Sequence, residues 1–148
     1  MTQPGPHQHL ELRYLAERYA SGVDRRDRVL FLSAFLPDAR LRVFNPSETS
    51  EPSEMRGHDA IGKVTTRIAK YDRTFHLIGN SRYEVDGASA TGEVYCLAHH
   101  LDRTGTPVDH VMHIRYVDEY RRADGGWKIA DRSVLVDWTE SRPVSAST

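Results

Sequence analysis

The feature that most restricts the fold is a change of hydrophobic period about halfway along the chain. Before Tyr71, apolar residues recur three or four positions apart, and Leu12, Leu15, Tyr19 and Val23 form one such stripe. That spacing is typical of a helix that buries one face. After Tyr71 the period becomes two, which is the period of half-buried strands. Helices followed by strands predict an α+β domain with the helices on one face of a sheet.

Capping and breaking residues divide the helical half. The pattern predicts helices over residues 10–23 and 28–35, the second capped by Asp27 and stopped by Pro37. A short strand is expected over 41–44, a loop over 45–56 and a third helix over 57–69.

Turn signals divide the second half into four long strands, predicted over residues 74–85, 88–101, 108–120 and 127–138. Tight turns between such strands produce an antiparallel meander. A curved antiparallel sheet wrapped around the N-terminal helices forms a cone, and an incompletely filled cone contains a pocket. The fold class expected is therefore α+β, with this cone as its architecture.

Composition restricts the function more than the fold. The chain has 148 residues, with 20 Lys and Arg against 21 Asp and Glu, so no net field favours nucleic acid or an anionic membrane. Its one cysteine and the lack of a signal-like N-terminus favour a cytoplasmic protein. One domain is expected over residues 10–140, with flexible tails at 1–9 and 141–148.

Alternation along the strands predicts which side chains face the interior of the cone. A row of small and apolar residues on the second long strand leaves room for a ligand. The last strand is expected to place Ala130, Val136 and Trp138 on the same inner face as Arg132. The predicted pocket lining is Thr74, Val94, Cys96, Ala98, Met112, Ile114, Tyr116 and Val134.

Three cationic or titratable side chains are expected among these apolar rows. Arg132 either pairs with a carboxylate or reaches the rim, or else it binds an anion or carbonyl inside the cone. His76 and His100 are either packing residues or members of a site. An aspartate that reaches the second ring nitrogen of His76 would make it a base near neutral pH, and Asp24 is the candidate.

Four segments carry a resemblance to a known family: GVDRRD at residues 22–27, TFHLIGN at 74–80, GEVYCLAHH at 92–100 and DEYRRADGGWKIADR at 118–132. With them the chain resembles the SnoaL-like family of the NTF2-like superfamily over about residues 10–138. Within that family it is similar to scytalone dehydratase, hexachlorocyclohexane dehydrochlorinase and the bile-acid dehydratases. The resemblance implies an NTF2-like cone.

The resemblance also implies a set of catalytic residues. Asp24 and His76 match the catalytic pair, in which His76 is the general base and Asp24 orients it. His100 matches the second pocket histidine of scytalone dehydratase, Arg132 the pocket arginine of the dehydrochlorinase, and Tyr19 the tyrosine of the bile-acid enzymes. The dehydrochlorinase has a lysine at the position of Tyr19, which disfavours chloride elimination. The resemblance leaves open whether Arg132 binds substrate or pairs with Asp24.

The implied activity is that of a cofactor-independent lyase or isomerase, dehydratase-like, acting on a hydrophobic cyclic ketone, polyketide or steroid-like molecule. A polyketide cyclase, a non-catalytic small-molecule-binding module and an interaction subunit with a fixed partner are alternatives on the same fold. No metal is expected, because adjacent histidines and those three apart on a strand face opposite ways. A homodimer or homotrimer is expected, since Tyr95, Leu97 and Val117 form an apolar band on the convex face.

Overall fold

The first helix begins earlier than its apolar pattern predicts. In the computed structural model, which describes residues 1–145, helix α1 spans Pro6–Arg25. Proline suits the first turn of a helix, where its missing N–H costs nothing, so residues 6–9 of the predicted tail are helical. The predicted stripe of Leu12, Leu15, Tyr19 and Val23 is buried.

The second helix is shorter than predicted, because Phe35, the last residue of the predicted helix, belongs to a strand instead. Helix α2 (Arg28–Leu32) is capped as expected, with the Asp27 carboxylate accepting the Leu30 N–H at 2.9 Å. Phe35 then begins strand β1 (Phe35–Phe44) and pairs with Ile129 near the far end of the chain. Strand β2 (Ser53–Arg56) forms within the predicted loop and pairs antiparallel with β1.

The third predicted helix is interrupted at Gly62. It consists of α3 (Gly57–Ile61), α4 (Lys63–Arg67) and a 3₁₀ turn (Ile68–Lys70). These short elements lead the chain into the first long strand.

The four long strands form the predicted meander: β3 (Arg73–Asp86), β4 (Ser89–Asp102), β5 (Val108–Ala123) and β6 (Gly126–Pro143). The sheet has the order β2-β1-β6-β5-β4-β3. The β1–β6 pair is parallel, so the sheet is mixed rather than wholly antiparallel. Hydrophobic alternation shows that a segment is a strand but not which distant strand it joins. The helices and this curved, open sheet make the expected α+β cone.

Strand β6 also extends further than predicted, through residues 141–143 of the expected C-terminal tail, while residues 146–148 lie outside the described part. The prediction that Trp138 lies on the inner face of this strand is wrong, because the strand contains a bulge. His113 pairs with Trp138 and Ile114 with Val136, so Asp137 is an extra residue and Trp138 turns to the outer face. Trp138 is 58% exposed and stacks on the His113 ring at 4.0 Å.

The inner face of the sheet otherwise matches the predicted alternation. Val94, Cys96, Ala98 and His100 are buried along β4, while the intervening Tyr95 and Leu97 are exposed. None of the helices in the described range has both the length and the apolar composition needed to cross a bilayer.

Candidate active site

The end of α1 and the start of β3 bring an aspartate against a histidine. An Asp24 carboxylate oxygen, Oδ1, accepts a hydrogen bond from His76 Nδ1 at 2.7 Å and another from the Thr74 hydroxyl at 3.0 Å. Its other oxygen, Oδ2, accepts the backbone N–H of His76 at 2.9 Å. The His76 side chain is 7% exposed and that of Asp24 is 24% exposed. The aspartate and histidine predicted as a pair are therefore in contact at a largely buried position.

These contacts define the charge of Asp24 and the tautomer of His76. Burial raises the pKa of the Asp24 carboxyl, but the hydrogen bonds from His76 and Thr74 outweigh burial and hold the pKa below its usual value. An ionised carboxylate can only accept, so the hydrogen between Asp24 and His76 lies on Nδ1. A neutral His76 then has an unprotonated Nε2, and no described residue hydrogen-bonds to that atom. This is the geometry of an imidazole base held by an aspartate.

His100 lies beside His76 on the neighbouring strand and has a different protonation chemistry. The two rings are 5.8 Å apart, and His100 Nδ1 donates to the His110 carbonyl at 3.1 Å. Burial lowers the pKa of His100 to about 4. At neutral pH its Nε2 is therefore an acceptor without a proton. The ring of Tyr71 packs against the His100 ring at 5.0 Å.

Arg132 has a partner that sequence reasoning did not identify. Its guanidinium is fully buried and donates to both carboxylate oxygens of Asp118, from Nε at 2.9 Å and from Nη2 at 2.7 Å. Asp118 is the residue opposite Arg132 in the β5–β6 register, but that register depends on a bulge at Ala130 that alternation does not predict. Arg132 therefore does not pair with Asp24, which was one of the two possibilities that the resemblance left open.

Aromatic rings enclose this buried ion pair. The Arg132 guanidinium carbon lies 4.5 Å from the ring centroid of Tyr19 and 4.0 Å from that of Tyr116. The third nitrogen, Nη1, is buried without a hydrogen-bond partner among the described residues. Burial raises the pKa of Tyr19 to about 12, so its hydroxyl stays protonated at physiological pH.

The five predicted catalytic residues thus form two groups at different depths. Asp24, His76 and His100 make one group, and Tyr19 and the fully buried Arg132 belong to a second group with Asp118. Across residues 1–145, no hydrogen bond or ion pair joins the two groups. On β4, Ala98 is opposite His76 and Gly92 is opposite Asp118, so Val94 and Cys96 lie between the two groups along that strand.

The predicted pocket lining is on the inner face. Cys96, Ala98, Ile114 and their neighbours are less than a tenth exposed, and Met112 is partly buried against them. Burial raises the pKa of the Cys96 thiol to about 11, so this cysteine is a neutral packing group rather than a nucleophile. The remaining lining residues at this burial are Thr74, Val94, Tyr116 and Val134.

A second histidine–aspartate pair occupies the opposite face of the sheet. His99 Nδ1 lies 2.7 Å from Asp109 Oδ2, the same separation as between His76 Nδ1 and Asp24 Oδ1 on the inner face. His99 faces outward, as strand alternation predicts for the neighbour of His100. In the described range, no three His, Cys, Asp or Glu side chains converge as metal ligands would.

Comparison with known proteins places this geometry in context. A family model described as the SnoaL-like domain matches residues 7–133. No match to a curated protein sequence was found.

Three solved structures resemble the chain across nearly its whole length. A candidate aromatic ring hydroxylase from Novosphingobium aromaticivorans is 22% identical, with a TM-score of 0.80 over 95% of this chain and 96% of that one. A candidate scytalone dehydratase from the same organism is 21% identical, with a TM-score of 0.77 over 95% and 91%. A type 2 hexachlorocyclohexane dehydrochlorinase is 19% identical, with a TM-score of 0.78 over 95% and 91%. At these identities the likeness establishes the shared fold.

Proposed function

Because the chain belongs to the SnoaL-like domain family, we propose that it is a cofactor-independent lyase or isomerase that acts by removing a proton. The observation that carries this proposal is the 2.7 Å contact between Asp24 Oδ1 and His76 Nδ1 inside the cone. It leaves His76 Nε2 free to take a proton from a substrate. The dehydratase and dehydrochlorinase names of two structural neighbours support a lyase-like reaction.

The acid–base groups and the lining support a particular substrate class. An unassisted C–H bond is too weakly acidic for an imidazole, so the proton must lie on a carbon next to a carbonyl or similar group. The apolar inner faces of β4, β5 and β6 favour a hydrophobic body such as a cyclic ketone, a polyketide or a steroid-like ring. Water is largely excluded from a histidine that is 7% exposed, which strengthens the polar contacts there.

Each polar group has a distinct role in this proposal. His76 Nε2 takes the proton, and the electron pair of the C–H bond moves to the carbonyl oxygen as an enolate. Donors for that oxygen come from the second group, where the Tyr19 hydroxyl stays protonated and Arg132 Nη1 has no hydrogen-bond partner among the described residues.

The reaction is completed when the His76 proton leaves again. Transfer to a β-hydroxyl breaks the C–O bond and releases water, whereas transfer to another carbon moves the double bond. His100 Nε2 accepts a hydrogen bond from the substrate hydroxyl and so positions it, because a neutral His100 has no proton at that nitrogen. Aldol ring closure by a polyketide cyclase begins with the same proton abstraction.

Solvent deuterium exchange measures proton abstraction without knowledge of the final product. A panel of cyclic ketones and β-hydroxy ketones is incubated with the protein in D₂O and analysed by mass spectrometry for deuterium uptake and loss of water. The variants are Asp24→Asn and His76→Ala. The chain supplies matched controls in Asp109→Asn and His99→Ala, which disrupt the equally short pair on the outer face.

The proposal predicts exchange in the wild type and in both outer-face controls, with a loss of roughly 100-fold or more in both inner-face variants. Equal loss in inner and outer variants would show an effect on folding instead. Binding of these ketones without any exchange would overturn the proposal in favour of the binding module.

A further inference from the structure

The end of α1 carries an arginine whose contacts reach the proposed base. Arg26 caps α1 with φ of 55°, and it is the one non-glycine residue with positive φ in the described range. Such a conformation is costly for a residue with a β-carbon, so surrounding contacts must maintain it. Backbone hydrogen bonds from Arg26 to Val23 and from Asp27 to Gly22 supply part of these contacts, and the arginine side chain supplies the rest.

The guanidinium of Arg26 binds three separate parts of the chain. Its Nη1 donates to the Val23 carbonyl at 3.1 Å and to the Asp24 carbonyl at 3.3 Å, which close the helix end. The same nitrogen donates to the Thr74 hydroxyl oxygen on β3 at 2.8 Å. Its Nη2 donates to the carbonyls of Ile68 at 3.4 Å and Tyr71 at 3.2 Å, in the connection that covers His100.

The direction of these hydrogen bonds is fixed by chemistry. A guanidinium has donors only, so the Thr74 oxygen accepts from Arg26. The single Thr74 hydroxyl hydrogen is then directed to Asp24 Oδ1, 3.0 Å away. That same carboxylate oxygen accepts the His76 Nδ1 hydrogen. One chain of donors therefore runs from Arg26 through Thr74 to Asp24 and holds the aspartate that orients His76.

We infer that Arg26 is a positioning residue, which acts through Thr74 on the Asp24–His76 pair and through two carbonyls on the Tyr71 segment. It touches no substrate. The inference rests on the proposed function only for its effect on rate, because the effect on the geometry of His76 is independent of any reaction. Arg25, its exposed neighbour, makes none of the hydrogen bonds described for Arg26 and provides the matched control.

Four variants separate positioning from folding. Arg26→Gln and Thr74→Val remove the donor chain, whereas Thr74→Ser keeps the hydroxyl. Arg26→Gly removes the side chain but suits a positive φ, so the helix end keeps its conformation. Two readouts are taken: the kcat and KM of deuterium exchange, and the NMR signal of the hydrogen-bonded His76 Nδ1 proton with its rate of exchange with water.

Arg26→Gln, Arg26→Gly and Thr74→Val are expected to lower kcat about 10- to 100-fold with little change in KM, the loss seen when the groups that orient metal-binding histidines are removed. The same variants should speed exchange of the His76 Nδ1 proton with water, while Thr74→Ser and Arg25→Gln resemble the wild type. Wild-type proton exchange in Arg26→Gln and Thr74→Val would overturn the inference. A wild type without catalysis, but with the predicted NMR effects, would overturn the proposed reaction and leave the positioning role intact.

Discussion

His100 shows how one residue's surroundings set its chemistry. It lies beside the proposed base, but it is 4% exposed and its Nδ1 hydrogen is donated to a backbone carbonyl. Burial disfavours its charged form, so the pKa falls from 6.5 to about 4. Nearby charges on His76, His110 and Asp109 also act on His100, but their effects are secondary to burial. His100 is therefore neutral at physiological pH.

This shift makes folding stability depend on pH. As the pH falls from about 6.5 to about 4, the unfolded chain takes up a proton at His100 that the folded protein does not bind. Stability should therefore fall across that window, by roughly 3 kcal/mol from this residue once the pH is below it. His100→Asn keeps an N–H donor but does not titrate, so the pH dependence should become shallower. Urea unfolding at several pH values measures this, with His110→Asn as control; equal slopes in wild type and His100→Asn would refute the attribution.

Strands β5 and β6 carry two arginine–aspartate pairs of the same bidentate type. Arg132–Asp118 is fully buried on the inner face, whereas Arg115–Asp137 is about one-third exposed on the outer face. A buried charge that loses its partner is far more costly than an exposed one. Both pairs join the same two strands, so a comparison between them isolates the effect of burial.

Asp118→Asn should destabilise the fold by about 3–5 kcal/mol, because it leaves the Arg132 charge buried and unpaired. Asp137→Asn should change stability little, since water solvates an exposed guanidinium. Urea unfolding at pH 7 gives both values. If the two variants lose the same stability, burial does not control the cost of breaking these pairs.

The sequence predicts elements better than it predicts the contacts between them. The meander and the inner row from Val94 to His100 follow from a period of two. The bulge at Asp137, which turns Trp138 to the outer face, does not follow from that period. One extra residue reverses the alternation, and nothing in the sequence marks it. The residues alone made Asp24 a candidate partner of His76, and the family resemblance implied the pair. Their contact could not be derived from a pattern, since a helix end and a strand residue 52 positions later meet by tertiary packing. The positioning role of Arg26 depends on an αL conformation, and no pattern indicates that.

The outer face of the sheet exposes several large apolar side chains to solvent. Phe75, Leu77, Tyr95 and Trp138 are each more than 40% exposed, and Leu97 lies among them at 36%. A depression of about 640 Å³ lies between Leu77, Tyr95, Leu97 and Trp138. Exposed apolar surface of this kind marks interaction sites. We propose that it forms the contact between copies in a homodimer or homotrimer.

Leu97→Lys should shift the protein to monomers, because it places a charge at the centre of that face. Val29→Lys is the control, since Val29 is 81% exposed on α2, away from the sheet. Sedimentation velocity between about 1 and 100 µM measures both, a range that covers micromolar dissociation constants. A wild type that is monomeric throughout would refute self-association through this face.

The proposed reaction requires that Asp24 hold His76 with its Nε2 unprotonated and ready to accept a proton. Nitrogen-15 NMR of histidine-labelled protein reports the protonation of each ring nitrogen directly, without a substrate. For neutral His76 we predict a protonated Nδ1 and an unprotonated Nε2 in the wild type, and a mixture of tautomers in Asp24→Asn. A wild-type His76 protonated at Nε2, or a tautomer unchanged in Asp24→Asn, would contradict the account.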